Sequence, residues 1–195
     1  MKERPSQTAG PYVHIGCLPN FCDIGGVYDA DLGTAMVNEA TLGQRVTISG
    51  IVYDGAGQPL RDALLEVWQA DAAGRYPGRD PGGAADPNFT GWGRAAGDYA
   101  TGLWSFDTIK PGRVPFPDGR MQEPHVTFWI VARGINLGLQ TRMYFSDENN
   151  AADPVLDMIG DPARAATLIA ARSGEGTYRF DIRLQGDQET VFFDF

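Results

Sequence analysis

At 195 residues, 43% hydrophobic and 21% charged, the chain has the length and composition of one folded domain with a sizeable core, which excludes wholesale disorder. A net charge of -9 with no basic cluster argues against a nucleic-acid partner, and an anionic ligand would need a local arginine. No apolar run reaches membrane-span length and the opening MKERPSQTAGPY has no apolar signal core, so the expected location is cytoplasmic.

Residues 1–45 read as an irregular arm. SQTAGPYVHIG carries the turn dipeptide Gly10-Pro11, and FCDIGGVYDADLG is rich in Gly and Asp. Such a segment is either an ordered tail or a cover for a neighbour's pocket. Cys17 and Cys22 are expected as free thiols, since a metal grouping with His14 matches no strong spacing.

From Val46 the pattern changes. VTISGIVYD reads as a strand, DGAGQP as a hairpin-type turn, and ALLEVWQAD as a second strand. Glu66 alternates with Leu65 and Val67 and is expected to point away from their face, solvated or hydrogen-bonded. Gly74 to Gly102 reads as one long loop. LWSFDTI puts Trp104, Phe106 and Thr108 on one face of a strand. A turn-rich loop from Lys110 then feeds HVTFWIVAR, with His125, Thr127, Trp129, Val131 and Arg133 on one face and Val126, Phe128, Ile130 and Ala132 on the other. His125 and Arg133 would lie roughly 26 Å apart along it, too far to serve one site.

A further strand ends near Phe145. Asp153-Pro154 and Asp161-Pro162 look like N-cap and N1 pairs opening a short helix, PVLDMI, and a longer one, PARAATLIAAR. YRFDIRLQG alternates with Tyr178, Phe180, Ile182 and Leu184 inward, and VFFDF reads as a last strand. Together these predict a mainly β fold: an antiparallel β-sandwich over residues 46–195 with long loops and a small helical insertion near 153–173.

At GQPLRDALLEVWQADAAGRY, 57–76, the sequence resembles the intradiol ring-cleaving dioxygenases, non-haem ferric enzymes with a β-sandwich core. The similarity continues through DPNFTGWGR, WSFDTIKPG, PHVTF, ARGIN, TRMYF and YRFDIRLQG, while SQTAGPYVHIG and ETVFFDF narrow it to the alpha chains of the family's two-chain members. That family holds iron with two tyrosines and a His-x-His pair. Here the loop PGRDPGGAA has no Tyr, Arg113 and Val114 follow the KPG motif, and the pair reads His125-Val126-Thr127. Only His125 remains, a lone remnant that cannot satisfy a hard trivalent cation.

The resemblance therefore implies a heteromer. A homologous beta chain would carry Fe(III) and all four ligands, in a higher-order alpha-beta oligomer. With O2 it would cleave 3,4-dihydroxybenzoate to 3-carboxy-cis,cis-muconate, in aromatic catabolism by the beta-ketoadipate pathway. No catalytic group and no metal ligand is expected in this chain, and the arm 1–45 would pack on the partner. The resemblance at ARGIN makes Arg133 the expected contact for the substrate carboxylate, with Gly10, Pro11 and Tyr12 as a pocket wall. Without the resemblance, Arg133 reads as a structural ion pair with an Asp or Glu. Two other readings are a self-sufficient single-chain dioxygenase, disfavoured by the missing ligands, and a non-enzymatic transthyretin-like sandwich that binds or scaffolds.

Overall fold

Strands in which every second side chain is apolar must bury one face, and two such sheets closing on each other make this fold. The computed structural model describes residues 8–78, 84–136 and 138–194. The first residues of the arm, 1–7, and part of the tyrosine-free loop, 79–83, lie outside the described residues.

In chain order the elements are α1 (Pro11–Cys17), β1 (Arg45–Tyr53), β2 (Leu64–Trp68), β3 (Trp92–Ala96), β4 (Leu103–Ile109), β5 (Val114–Pro115) and β6 (Met121–Gln122). Then come β7 (His125–Val131), β8 (Leu139–Phe145), α2 (Pro154–Ile159), α3 (Pro162–Ala166), β9 (Ile169–Gly174), β10 (Thr177–Arg179) and β11 (Ile182–Arg183). One layer is built on β1. It pairs antiparallel with β4 along one edge, from Arg45↔Ile109 to Ile51↔Leu103. Along the other edge it pairs parallel with β10 and then β11. The second layer runs β3-β2-β7-β8, all antiparallel. Strand β9 joins the two: Ile169 and Ala170 pair parallel with β8, and Ala171 to Gly174 pair antiparallel with β10. A strand that switches sheets makes the corner of the sandwich.

The core between the layers is aromatic. Phe128 of β7 meets Trp104, Phe180 and Phe106 with ring centres 5.4, 5.5 and 6.2 Å apart. Trp104 and Phe128 have no exposed surface, and each such side chain contributes about 3 kcal/mol through burial. Gly50 lets β1 approach this cluster: a Cβ there would lie 1.8 Å from the Phe180 carbonyl oxygen and 2.5 Å from the Trp104 ring.

Several expectations are corrected. The ladder is mixed rather than antiparallel, because β1 has two parallel partners and β8 one. The second helix stops at Ala166, and IAARSG is a strand. The edge of β8 decides this: the Tyr144 and Ser146 amides donate to the carbonyls of Leu168 and Ala170 at 2.8 and 3.2 Å. Those bonds outweigh the modest helix propensity of the alanines. The turn after β1 is of the expected hairpin type, closed by Asp54 N to Gln58 O at 3.0 Å with an antiparallel bridge from Tyr53 to Pro59, and β2 then pairs in the other layer. The long loop contains β3, and the loop from Lys110 contains the β5-β6 pair. Among the described residues 191–194, Phe193 makes an isolated bridge to Gln140 instead of the expected strand. The arm is not wholly irregular: Gly10 is the N-cap and Pro11 the first residue of α1. Both cysteines are free. No helix among the described residues is long and apolar enough to cross a membrane.

Candidate functional site

The residues expected at a site lie at opposite ends of β7. At its C-terminal end the chain turns at Arg133 and meets the arm. The Gly134 amide donates to Thr8 Oγ1 at 2.8 Å. Between them opens a cavity of about 480 Å³, lined among others by Gly10, Pro11, His14, Asp62, Tyr99 and Arg133. The structure thus brings together three of the four residues expected at the pocket, from segments more than a hundred residues apart. Tyr12 projects outward, 85% exposed, and does not line the cavity. A Cβ on Gly10 would meet nothing within 4 Å, so no neighbour among the described residues requires glycine there.

Arg133 lies 3.5 Å from the Asp62 carboxylate, with side chains 80% and 36% exposed. The pair expected of a structural arginine is present, but it is long and solvated and holds the guanidinium weakly. His14 is the reverse case. It is buried, its Nε2 has no partner among the described residues, and desolvation lowers its pKa despite the nearby Asp62. Cys22 Sγ sits 3.6 Å from the Tyr99 hydroxyl and helps push that phenol up to about 12. His14, Asp62, Tyr99 and Thr8 were not legible as wall residues. His14 stood out only as a failed metal grouping, and nothing in the sequence pairs Asp62 with Arg133.

At the N-terminal end of β7 lies His125, 3% exposed. Its Nδ1 is 2.8 Å from the Glu123 carbonyl, which can only accept, so Nδ1 carries the proton. Nε2 faces the Tyr76 hydroxyl at 3.5 Å. Burial, helped by the Arg142 guanidinium, lowers this imidazole to about 4 and keeps it neutral. Around it most polar groups satisfy one another, although the buried Arg142 Nε has no partner among the described residues. Arg113 pairs with Glu123 at 2.7 Å, and the Glu123 amide donates to Asp153 at 2.7 Å. Asp153 also caps α2 and accepts from the Tyr144 hydroxyl at 3.1 Å. Val114 is buried and apolar, and Arg142 donates to Gln122 at 2.7 Å. A ferric ion needs several anionic or imidazole donors converging on one point. This site offers one engaged imidazole, two carboxylates already taken up by Arg113, the Glu123 amide, the α2 cap and Tyr144, and two guanidinium groups, so the residues do not fit the metal. Among the described residues no group of three His, Cys, Asp or Glu could hold a metal ion.

Comparison with known proteins gives a consistent pattern. The family description "Dioxygenase" matches residues 18–186. The protocatechuate 3,4-dioxygenase alpha chain of Pseudomonas putida is 44% identical over 200 residues, covering 100% of this chain and 98% of that one. The corresponding beta chain of Burkholderia cepacia is 37% identical over 179 residues, covering 85% and 75%. Among solved structures, the dioxygenase domain of a carbohydrate-binding fusion protein from Streptomyces sp. SirexAA-E superposes with a TM-score of 0.55 at 25% identity, over 96% of this chain and 100% of that one.

Proposed function

The chain belongs to the intradiol dioxygenase family, and from that premise we propose that it is the iron-free alpha subunit of a protocatechuate 3,4-dioxygenase. Its partner is a homologous beta chain that holds Fe(III) and cleaves 3,4-dihydroxybenzoate with O2 to 3-carboxy-cis,cis-muconate. The observation that carries this reading is full-length similarity to alpha chains, combined with a His125 site whose imidazole and carboxylates are engaged by neighbouring groups. Similarity of the same chain to a beta chain supports the pairing.

In the assembled enzyme this chain supplies walls and charge. Residues 1–45 pack on the partner, with 46–195 forming the sandwich domain. Tyr12, Val27, Tyr28 and Tyr99 are 85%, 56%, 41% and 57% exposed, apolar surface of the kind an obligate interface covers. Gly10 and Pro11 form a wall, Tyr12 extends it toward the partner, and Arg133 meets the substrate carboxylate with a two-pronged donor that lysine lacks. The long, exposed contact with Asp62 leaves Arg133 free to exchange carboxylates.

Co-expression with the homologous chain tests this. The pair should show the visible tyrosinate-to-iron absorption and cleave 3,4-dihydroxybenzoate, and the alpha chain purified alone should show neither. Stoichiometric iron in the alpha chain alone would overturn the reading. A pair that stays colourless would favour the transthyretin-like binding module instead.

A further inference from the structure

A helix of seven residues is too short to hold itself in place, so α1 must be fixed by the sandwich. On β2 and β3, Glu66 and Arg94 stand directly opposite each other. Arg94 Nε and Nη2 both reach Glu66 Oε1, at 2.8 and 2.6 Å. Its remaining nitrogen, Nη1, donates to the Cys17 carbonyl at the end of α1, at 3.1 Å. The guanidinium lies 4.9 Å from the centre of the Trp92 ring, and the two charged side chains are only 16% and 24% exposed. The Arg94 amide also donates to the Gly33 carbonyl at 2.8 Å. A Cβ at Gly33 would sit 2.9 Å from that of Arg94, so the arm lies flush against β3 here. One residue therefore holds the arm at two points, 17 and 33. Thr8 pins its other end to the Arg133 turn, and Gly10 and Pro11 are suspended between the pins.

We propose that Glu66 and Arg94 are positioning residues: the pair anchors the C-terminal end of α1 and so sets where Gly10 and Pro11 stand relative to Arg133 across the cavity. This rests on the reading of that cavity as a substrate wall. Arginine is needed because the planar fork spans a carboxylate and a carbonyl together. Glutamate is needed because a guanidinium this buried requires a fixed counter-charge.

The test uses the assembled alpha-beta enzyme carrying Arg94→Gln, Arg94→Lys or Glu66→Gln. Arg94→Gln should raise the KM for 3,4-dihydroxybenzoate on the order of tenfold with kcat within about twofold, because misplacing a wall by a fraction of an ångström weakens binding before chemistry. Hydrogen exchange of the 12–17 amides should quicken while the iron absorption stays unchanged. Arg94→Lys keeps the charge but cannot span both acceptors, so it should share the higher KM. A lysine that restores the wild-type KM overturns the proposal. Glu66→Gln leaves the arginine and its bond to Cys17 in place and separates anchoring from a folding defect. It should move KM and exchange in the same direction by less, and faster exchange with unchanged KM overturns the proposal. Arg133→Ala is the control. If it raises KM while Arg94→Gln does not, the anchor is wrong and the cavity reading stands; if Arg133→Ala changes nothing, the cavity reading itself has failed.

Discussion

Replacing Arg133 with alanine in the assembled enzyme should weaken substrate binding and spare the fold. The side chain is 80% exposed and its contact with Asp62 is 3.5 Å long. Exposed ion pairs contribute about 0–1 kcal/mol, so the melting midpoint should move by no more than roughly 3 °C. Binding is another matter. A charge-assisted hydrogen bond to a carboxylate in a site closed by the partner contributes about 1.5–3 kcal/mol, or roughly 10- to 150-fold in affinity. The net charge of -9 adds long-range repulsion of an anionic substrate that the local guanidinium offsets. Oxygen uptake with 3,4-dihydroxybenzoate and with unsubstituted catechol separates the terms. The rise in KM should appear with the carboxylated substrate and be small with catechol, while the iron absorption holds. An equal change with both substrates, or none with either, refutes the assignment.

Gly10→Ala should leave the isolated chain's stability unchanged, because the added Cβ meets nothing within 4 Å and φ is -118°. It should raise KM in the assembled enzyme, where kinetics and melting curves together give the answer; unaltered kinetics would remove Gly10 from the wall. His125 sits near 4 in the fold against an ordinary 6.5. The unfolded chain therefore binds the extra proton first, and stability should fall as pH drops from about 6.5 toward 4, by on the order of 3 kcal/mol. His125→Gln should flatten that slope in urea titrations at several pH values, and a profile parallel to wild type would sink the argument. Gly50→Ala should cost about 3 kcal/mol or more, since its Cβ would strike the Phe180 carbonyl and the Trp104 ring. A loss below about 1 kcal/mol by denaturant unfolding would mean that the crossing relaxes.

What could be read from the chain was what one side chain or one alternation decides. HVTFWIVAR reads correctly because its inward set, Val126, Phe128, Ile130 and Ala132, is buried without remainder. The N-caps Asp153 and Asp161 read correctly because their partners lie two or three residues away. Strand β9 was hidden because its alanines favour helix and the β8 edge that recruits it lies some 25 residues upstream. Strand β3 was hidden because WGRAA has no alternation; Gly93 is placed by Met36, whose sulfur a Cβ there would meet at 2.5 Å. Glu66 is hydrogen-bonded, one of the two states expected of it, but its partner could not be named because Arg94 comes 28 residues later.

The two ends of β7 carry the functional argument. At the His125 end most polar groups have found partners inside the chain: imidazole on the Glu123 carbonyl, Arg113 on the Glu123 carboxylate, Tyr144 on Asp153, while Arg142 Nε has none among the described residues. Buried polar groups without partners are costly, so losing metal ligands is tolerable only once the remainder is rewired in this way. At the Arg133 end the groups stay open: a guanidinium with a loose, solvated counter-charge, a glycine facing free space, a buried imidazole nitrogen with no partner among the described residues. Both ends keep one buried nitrogen without a partner among the described residues, so the difference between them lies in the exposed, loosely paired charge and the open space at the cavity mouth. That asymmetry along one strand is why the Arg133 end, rather than the His125 end, is the one proposed as a wall of the partner's site.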